Sequence, residues 1–169
     1  MNVLRMIPVL LMTFSCASPQ EEARPAPEIV WIGIEEGLQA GSTSDKKILV
    51  NIYTDWCNYC KKMTDMVYPD STVRQTVYEH FIPVGLNADS ESLVTFKGKQ
   101  IREKDLAREL GVRSYPTMLF MSADGELILQ SNGYMPAEDF NRMLLYIGSS
   151  AYLTMEFIQF EPENSTAKR

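Results

Sequence analysis

Residues Ile48 to Tyr53 form a nearly continuous apolar run rich in Val and Ile, the pattern of a central strand buried on both faces. Directly after it comes Asp55-Trp56-Cys57-Asn58-Tyr59-Cys60-Lys61-Lys62, which opens a segment of helical spacing. Cys60, Met63, Met66 and Val67 fall along one face of that helix, while Lys61, Lys62 and Asp65 can face water. A strand that passes straight into a helix therefore places two cysteines at the helix start. One turn brings their sulfurs within bonding range, which suits reversible disulfide chemistry. The attacking species is a thiolate, favoured at a helix N-terminus by the unpaired N–H groups there. Cys57 is placed to receive that help. Cys60, one turn further in, is more shielded and suited to resolving the mixed disulfide that forms when Cys57 attacks a substrate.

Other uses of two cysteines make different demands. A structural zinc site needs four ligands, whereas beyond the first sixteen residues the chain offers Cys57, Cys60 and the single His80. Covalent haem attachment needs His directly after the second cysteine, and Lys61 stands there. No metal or cofactor is therefore expected. A purely structural disulfide is the remaining alternative, and the strand-to-helix setting argues against it.

The third cysteine, Cys16, lies at the end of a segment unlike the rest. Arg5 precedes an apolar stretch from Met6 to Phe14, too short to span a bilayer, and Glu21, Glu22 and Arg24 follow soon after. This reads as a secretory signal over residues 1–15. Met12-Thr13-Phe14-Ser15-Cys16 resembles a bacterial lipoprotein cleavage box, with Thr13 where such boxes usually carry Leu. That resemblance implies lipidation at Cys16, leaving one cysteine pair and no odd thiol. Residues 16–27, rich in Pro, Ala, Glu and Ser, read as a flexible tether. The formal net charge of −6, from 16 basic against 22 acidic residues, argues against a nucleic-acid or anionic-membrane surface. Membrane contact is expected through the lipid anchor only.

Along the remaining chain, Ile29 to Ile32 suggests a short edge strand and Ile34 to Ala40 a short helix. After Pro69, Val73 and Val77 predict another helix running to His80, and Phe81 to Leu86 a second core strand. Asn87 to Gln100 reads as a polar loop, and Glu103 to Leu110 as a helix stopped by Gly111. Thr117 to Met121 and Leu127 to Gln130 are strands joined by a hairpin turn at Asp124-Gly125. Phe140, Met143, Leu144 and Ile147 have the spacing of a core-facing helix, which Gly148 can cap. Residues 149–169 carry aromatic residues without a strong period and form a C-terminal extension to a domain over residues 28–148. The order of elements is an α/β start with a closing hairpin and terminal helix.

Trp56-Cys57-Asn58-Tyr59-Cys60-Lys61 resembles the active site of the thioredoxin-like superfamily, usually Trp-Cys-Gly-X-Cys-Lys. Ser114-Tyr115-Pro116-Thr117 resembles its cis-proline loop, Asp124-Gly125 its hairpin turn, and Gly133 the glycine after its last strand. The resemblance is to exported bacterial members with a Cys-X-Tyr-Cys-Lys-Lys-Met signature, including those associated with sulfur oxidation and cytochrome maturation. It implies a thioredoxin fold, a central mixed β-sheet flanked by helices. It also implies a cis Tyr115–Pro116 bond packed beside Cys57, with Tyr115 offering backbone groups to an extended substrate. Trp56 and Tyr59 become candidate substrate contacts. Asn51 departs from the family, which usually carries a buried Asp six residues before the first cysteine, and Asn cannot act as a general base. Asn58 replaces the common Gly.

The resemblance implies an exported thiol-disulfide oxidoreductase in the periplasm or cell envelope. The expected direction is reduction of disulfides in exported proteins, with electrons from a membrane donor of the disulfide-interchange type, and the expected state is a monomer. Within the class the alternative is an oxidase or isomerase. Outside it, the alternative is a non-catalytic binding or chaperone module.

Overall fold

The computed structural model describes residues 26–162. The signal segment and Cys16 lie outside them. Of the expected tether only Ala26 and Pro27 are described, and Ala26 is buried.

The chain runs α1 (Ile34–Gly41), β1 (Lys47–Tyr53), α2 (Asn58–Met66), α3 (Ser71–His80), β2 (Phe81–Asn87), β3 (Leu93–Phe96), β4 (Lys99–Arg102), α4 (Glu103–Glu109), β5 (Thr117–Met121), β6 (Leu127–Asn132) and α5 (Ala137–Gly148). Four strands form one mixed sheet in the order β2-β1-β5-β6, with β1 parallel to β2 and antiparallel to β5. The strand centred on Ile48 to Tyr53 is thus an interior strand, as its apolar run predicts, and its side chains divide by the two-residue period of a pleated strand. Ile48, Val50 and Ile52 join a core with Ile34 of α1 and Leu106 of α4. Leu49 joins a second core with Met63 of α2, Val73 and Val77 of α3, and Phe140, Leu144 and Ile147 of α5. Helices therefore cover both faces of the sheet. Each fully buried side chain of this size contributes about 1.5–3 kcal/mol.

Several expectations are corrected. Residues Ile29 to Ile32 form no strand. Only Ile32 makes a bridge, its N–H donating to Pro83 O and its carbonyl accepting from Gly85 N–H. Gly33 then ends the extension and α1 begins. The segment Asn87 to Gln100 is not wholly a loop, because β3 pairs with β4 in a separate hairpin. Lys97 and Gly98 both take positive φ, 48° and 80°, as a two-residue primed turn requires. The hairpin is held down by Val94 and Phe96, which pack on the first core, and by buried Ile101. Met66 does not join the core face of α2; it is 60% exposed, because the helix ends there and Val67 fills the place. Gly148 does not cap α5 but is its last helical residue, lying against the His80 ring.

The C-terminal extension is docked rather than appended. The described part forms two short 3-10 turns, Ala151–Leu153 and Phe157–Gln159. Arg142 of α5 donates to the carbonyls of Phe157 and Phe160, and its guanidinium stacks 4.7 Å from the Phe157 ring centre. The Tyr146 hydroxyl donates to Met155 O at 2.7 Å. Among the described residues no helix is long and apolar enough to cross a membrane.

Candidate active site

The functional cysteines sit where β1 hands over to α2. Cys57 is the N-cap of α2, extended at φ −75° and ψ 105°, and its sulfur accepts the Cys60 N–H at 3.0 Å. The Cys57 N–H donates to Thr54 O, which fixes the turn between strand and helix. The two sulfurs are bonded at 2.11 Å, with the Cα atoms 5.2 Å apart. Both residues are buried. The first turn of α2 carries no acidic residue, and Lys61 and Lys62 follow. Once the bond is reduced, the helix dipole favours negative charge on a sulfur at this N-cap position.

The loop that leads into β5 lies against Trp56, the residue before Cys57. The Tyr115–Pro116 peptide is cis, and Pro116 is buried. Its carbonyl accepts the Gly133 N–H at 2.8 Å, and Gly133 takes φ +86°, a conformation that favours glycine. The Tyr115 ring meets the Trp56 ring edge-on, with centroids 5.8 Å apart. Trp56, 66% exposed, is held from the other side by its Nε1–H, which donates to Asp89 Oδ2 at 2.6 Å. Tyr59 is 61% exposed and lies 6.3 Å from the Tyr134 ring, which also receives Lys62 Nζ at 4.2 Å. Trp56 and Tyr59 thus flank Cys57 along the chain, and Tyr115, next to Pro116, packs on Trp56.

Asp89 and Tyr134 escaped the reading of the sequence. Asp89 lies in a polar stretch with no periodicity. Tyr134 follows Gly133 directly, and only the fold brings it to the first turn of α2.

Behind the cysteines opens a cleft of about 590 Å³, walled in part by Cys60, Asn51 and Thr54. Asn51 lies on the α2 side of β1, the same side as Leu49. Its register partners are Gly85 on β2, which has no side chain to fill the space, and Met118 on β5. Thr54 follows the end of β1 and is also buried.

A family model described as a thioredoxin-like domain matches residues 35–148, most of the chain and all of this geometry. The chain belongs to that family. Among curated thioredoxin-like relatives, the thiol:disulfide interchange protein DsbD of Photorhabdus laumondii is 32% identical over 106 residues. The match covers 62% of this chain and 17% of the relative, so the chain corresponds to a small part of that protein. Among solved structures, a thioredoxin-fold protein from Helicobacter pylori is 27% identical at a TM-score of 0.56, covering 66% of this chain and 74% of the other. A thioredoxin from Thermus thermophilus superposes at a TM-score of 0.59 with 20% identity, covering 80% and 98%. The architecture is the thioredoxin fold, a mixed four-stranded sheet with helices on both faces.

Proposed function

We propose that this thioredoxin-like protein is an exported thiol-disulfide oxidoreductase that reduces disulfides of cell-envelope proteins, with Cys57 as nucleophile and Cys60 as resolving thiol. The observation that carries this reading is the Cys57–Cys60 disulfide at the start of α2, with Cys57 as the N-cap and no carboxylate in the first turn. The cycle needs no cofactor, because the dithiol itself supplies both electrons. The Cys57 thiolate attacks a substrate disulfide and releases one substrate thiol. The Cys60 sulfur then attacks Cys57, forming the internal disulfide and releasing the second thiol.

The exposed rings of Trp56 and Tyr59 and the backbone at Tyr115–Pro116 form the docking surface for an extended substrate segment. Similarity to a protein named for thiol:disulfide interchange supports a membrane electron donor of that type as partner. Lipidation at Cys16 would anchor the domain at the envelope, with residues 16–27 as tether and the protein a monomer.

The test is a redox titration paired with trapping. A reductase has a potential near the thioredoxin value of about −270 mV. Cys60→Ser then accumulates envelope proteins joined to Cys57 as mixed disulfides. A potential near about −120 mV would make the protein an oxidant instead. A potential far below the thioredoxin value with nothing trapped would leave an inert disulfide in a binding module. Cys16→Ser, followed by fractionation, tests the anchor: the protein should move from the membrane to the soluble fraction.

A further inference from the structure

The cleft behind Cys60 presents two buried oxygens that no group among the described residues satisfies, Asn51 Oδ1 and Thr54 Oγ1. Asn51 is 8% exposed and Thr54 is 2% exposed. Buried polar atoms in folded proteins almost always have a partner, in the protein or in ordered water. A cleft of about 590 Å³ has room for several waters, each of which takes about 30 Å³ in the liquid.

The chemistry at this wall needs a proton acceptor. To attack Cys57, a buried Cys60 must first lose its proton, and the groups walling the cleft at depth are an amide and a hydroxyl. Neither takes up a proton near neutral pH. The titratable groups facing the cleft stand further out. Asp55, Lys61 and Asp65 are exposed at its rim, and the neutral side of the cleft is completed by Trp31 and Gly85. The phenol of Tyr53 stays protonated, its pKa raised by burial and further by the charges of Glu103 and Asp55.

We propose that Asn51 and Thr54 hold water against Cys60 in this cleft, and that this water carries the Cys60 proton outward to the carboxylates at the rim. The proposal rests on the dithiol reading above and assigns Asn51 and Thr54 as positioning residues in its second step. In that step the Cys60 S–H bond breaks and its proton passes to the water. The Cys60 sulfur bonds to Cys57 Sγ, and the bond from Cys57 to the substrate sulfur breaks. The departing substrate thiolate takes a proton from solvent. Over the full cycle the dithiol loses two electrons and the substrate disulfide gains them.

The experiment uses the full chain and 5,5′-dithiobis(2-nitrobenzoate) as substrate under single-turnover conditions. The first equivalent of coloured thiolate reports attack by Cys57, and the second reports resolution by Cys60. Thr54→Val keeps the size of the side chain and removes the hydroxyl, and Asn51→Leu removes the amide. Each variant should slow the second release by at least about tenfold near neutral pH and leave the first unchanged. The pH midpoint of the second release should also rise, because Cys60 then ionises without a nearby hydrogen-bonded acceptor. Thr54→Ser, which restores the hydroxyl, should return both rate and midpoint. The relay is overturned if both releases slow together, or if the second keeps its rate and pH midpoint in Thr54→Val and Asn51→Leu. A native protein that releases only one equivalent overturns the dithiol reading itself, and the relay with it.

Discussion

The indole of Trp56 is fixed between two distant parts of the chain, its Nε1–H donating to Asp89 Oδ2 at 2.6 Å while its edge meets the Tyr115 ring. The residue before Cys57 is thereby tied both to the loop after β2 and to the loop before β5. A net hydrogen bond of this kind is worth about 0.5–1.5 kcal/mol. Asp89→Ala should lower kcat/KM toward a protein disulfide by about two- to tenfold. In a Trp31→Phe background, Trp56 emission should shift to the red. Unchanged emission and rate would mean that the bond does not hold the ring in solution.

Gly41, the last residue of α1, lies against the turn between β5 and β6. A Cβ there would stand 2.5 Å from the Ala123 carbonyl oxygen, an atom of the backbone that cannot swing aside. Alanine is the better helix former, yet Gly41→Ala should destabilise the fold by about 1–3 kcal/mol through overpacking. The urea midpoint reads this directly, and a midpoint at or above that of the native chain would contradict the close approach.

Arg142 joins α5 to the C-terminal turns through the carbonyls of Phe157 and Phe160. Arg142→Met keeps much of the stem and removes the donors. Stability should fall by about 1–3 kcal/mol. The amides of residues 157–160 should exchange faster with deuterium, while those of β1 stay protected. Equal loss of protection in both places would show that the turns are not a separately docked unit.

Tyr68 is buried beneath Trp31 and beside Phe140, and burial pushes the pKa of its phenol up. A phenol that is harder to ionise when folded favours the fold fully below the unfolded tyrosine value of about 10. That stability is lost as pH rises past the unfolded value, by about 1.4 kcal/mol per pH unit for one such group. Urea midpoints measured from about pH 9 to 12 should fall more steeply for the native chain than for Tyr68→Phe. Parallel slopes would place the alkaline sensitivity elsewhere.

The segments legible in the sequence are those whose signal is local. The run from Ile48 to Tyr53 announces a strand buried on both sides because its apolar residues are continuous. Cys57 and Cys60 announce a helix start because their spacing matches one turn. The same local reading fails where a partner decides. Ile29 to Ile32 has strand composition but only one residue within reach of β2. Met66 keeps the right period but falls where α2 ends. The β3–β4 hairpin lies in a stretch whose polar residues read as loop, and it is Val94, Phe96 and Ile101 packing on the first core that make it a stable pair.

The cysteine pair and the strand that delivers it follow from the sequence, because each depends on spacing along the chain, whereas the cis Tyr115–Pro116 bond is implied only by the resemblance. What only the tertiary structure decided is the surrounding of that pair. Asp89 reaches Trp56, Tyr134 meets Tyr59, and Asn51 and Thr54 share a cleft with Cys60. The two oxygens in that cleft carry no local signal, since whether a polar side chain is buried without a partner depends on every element packed around it.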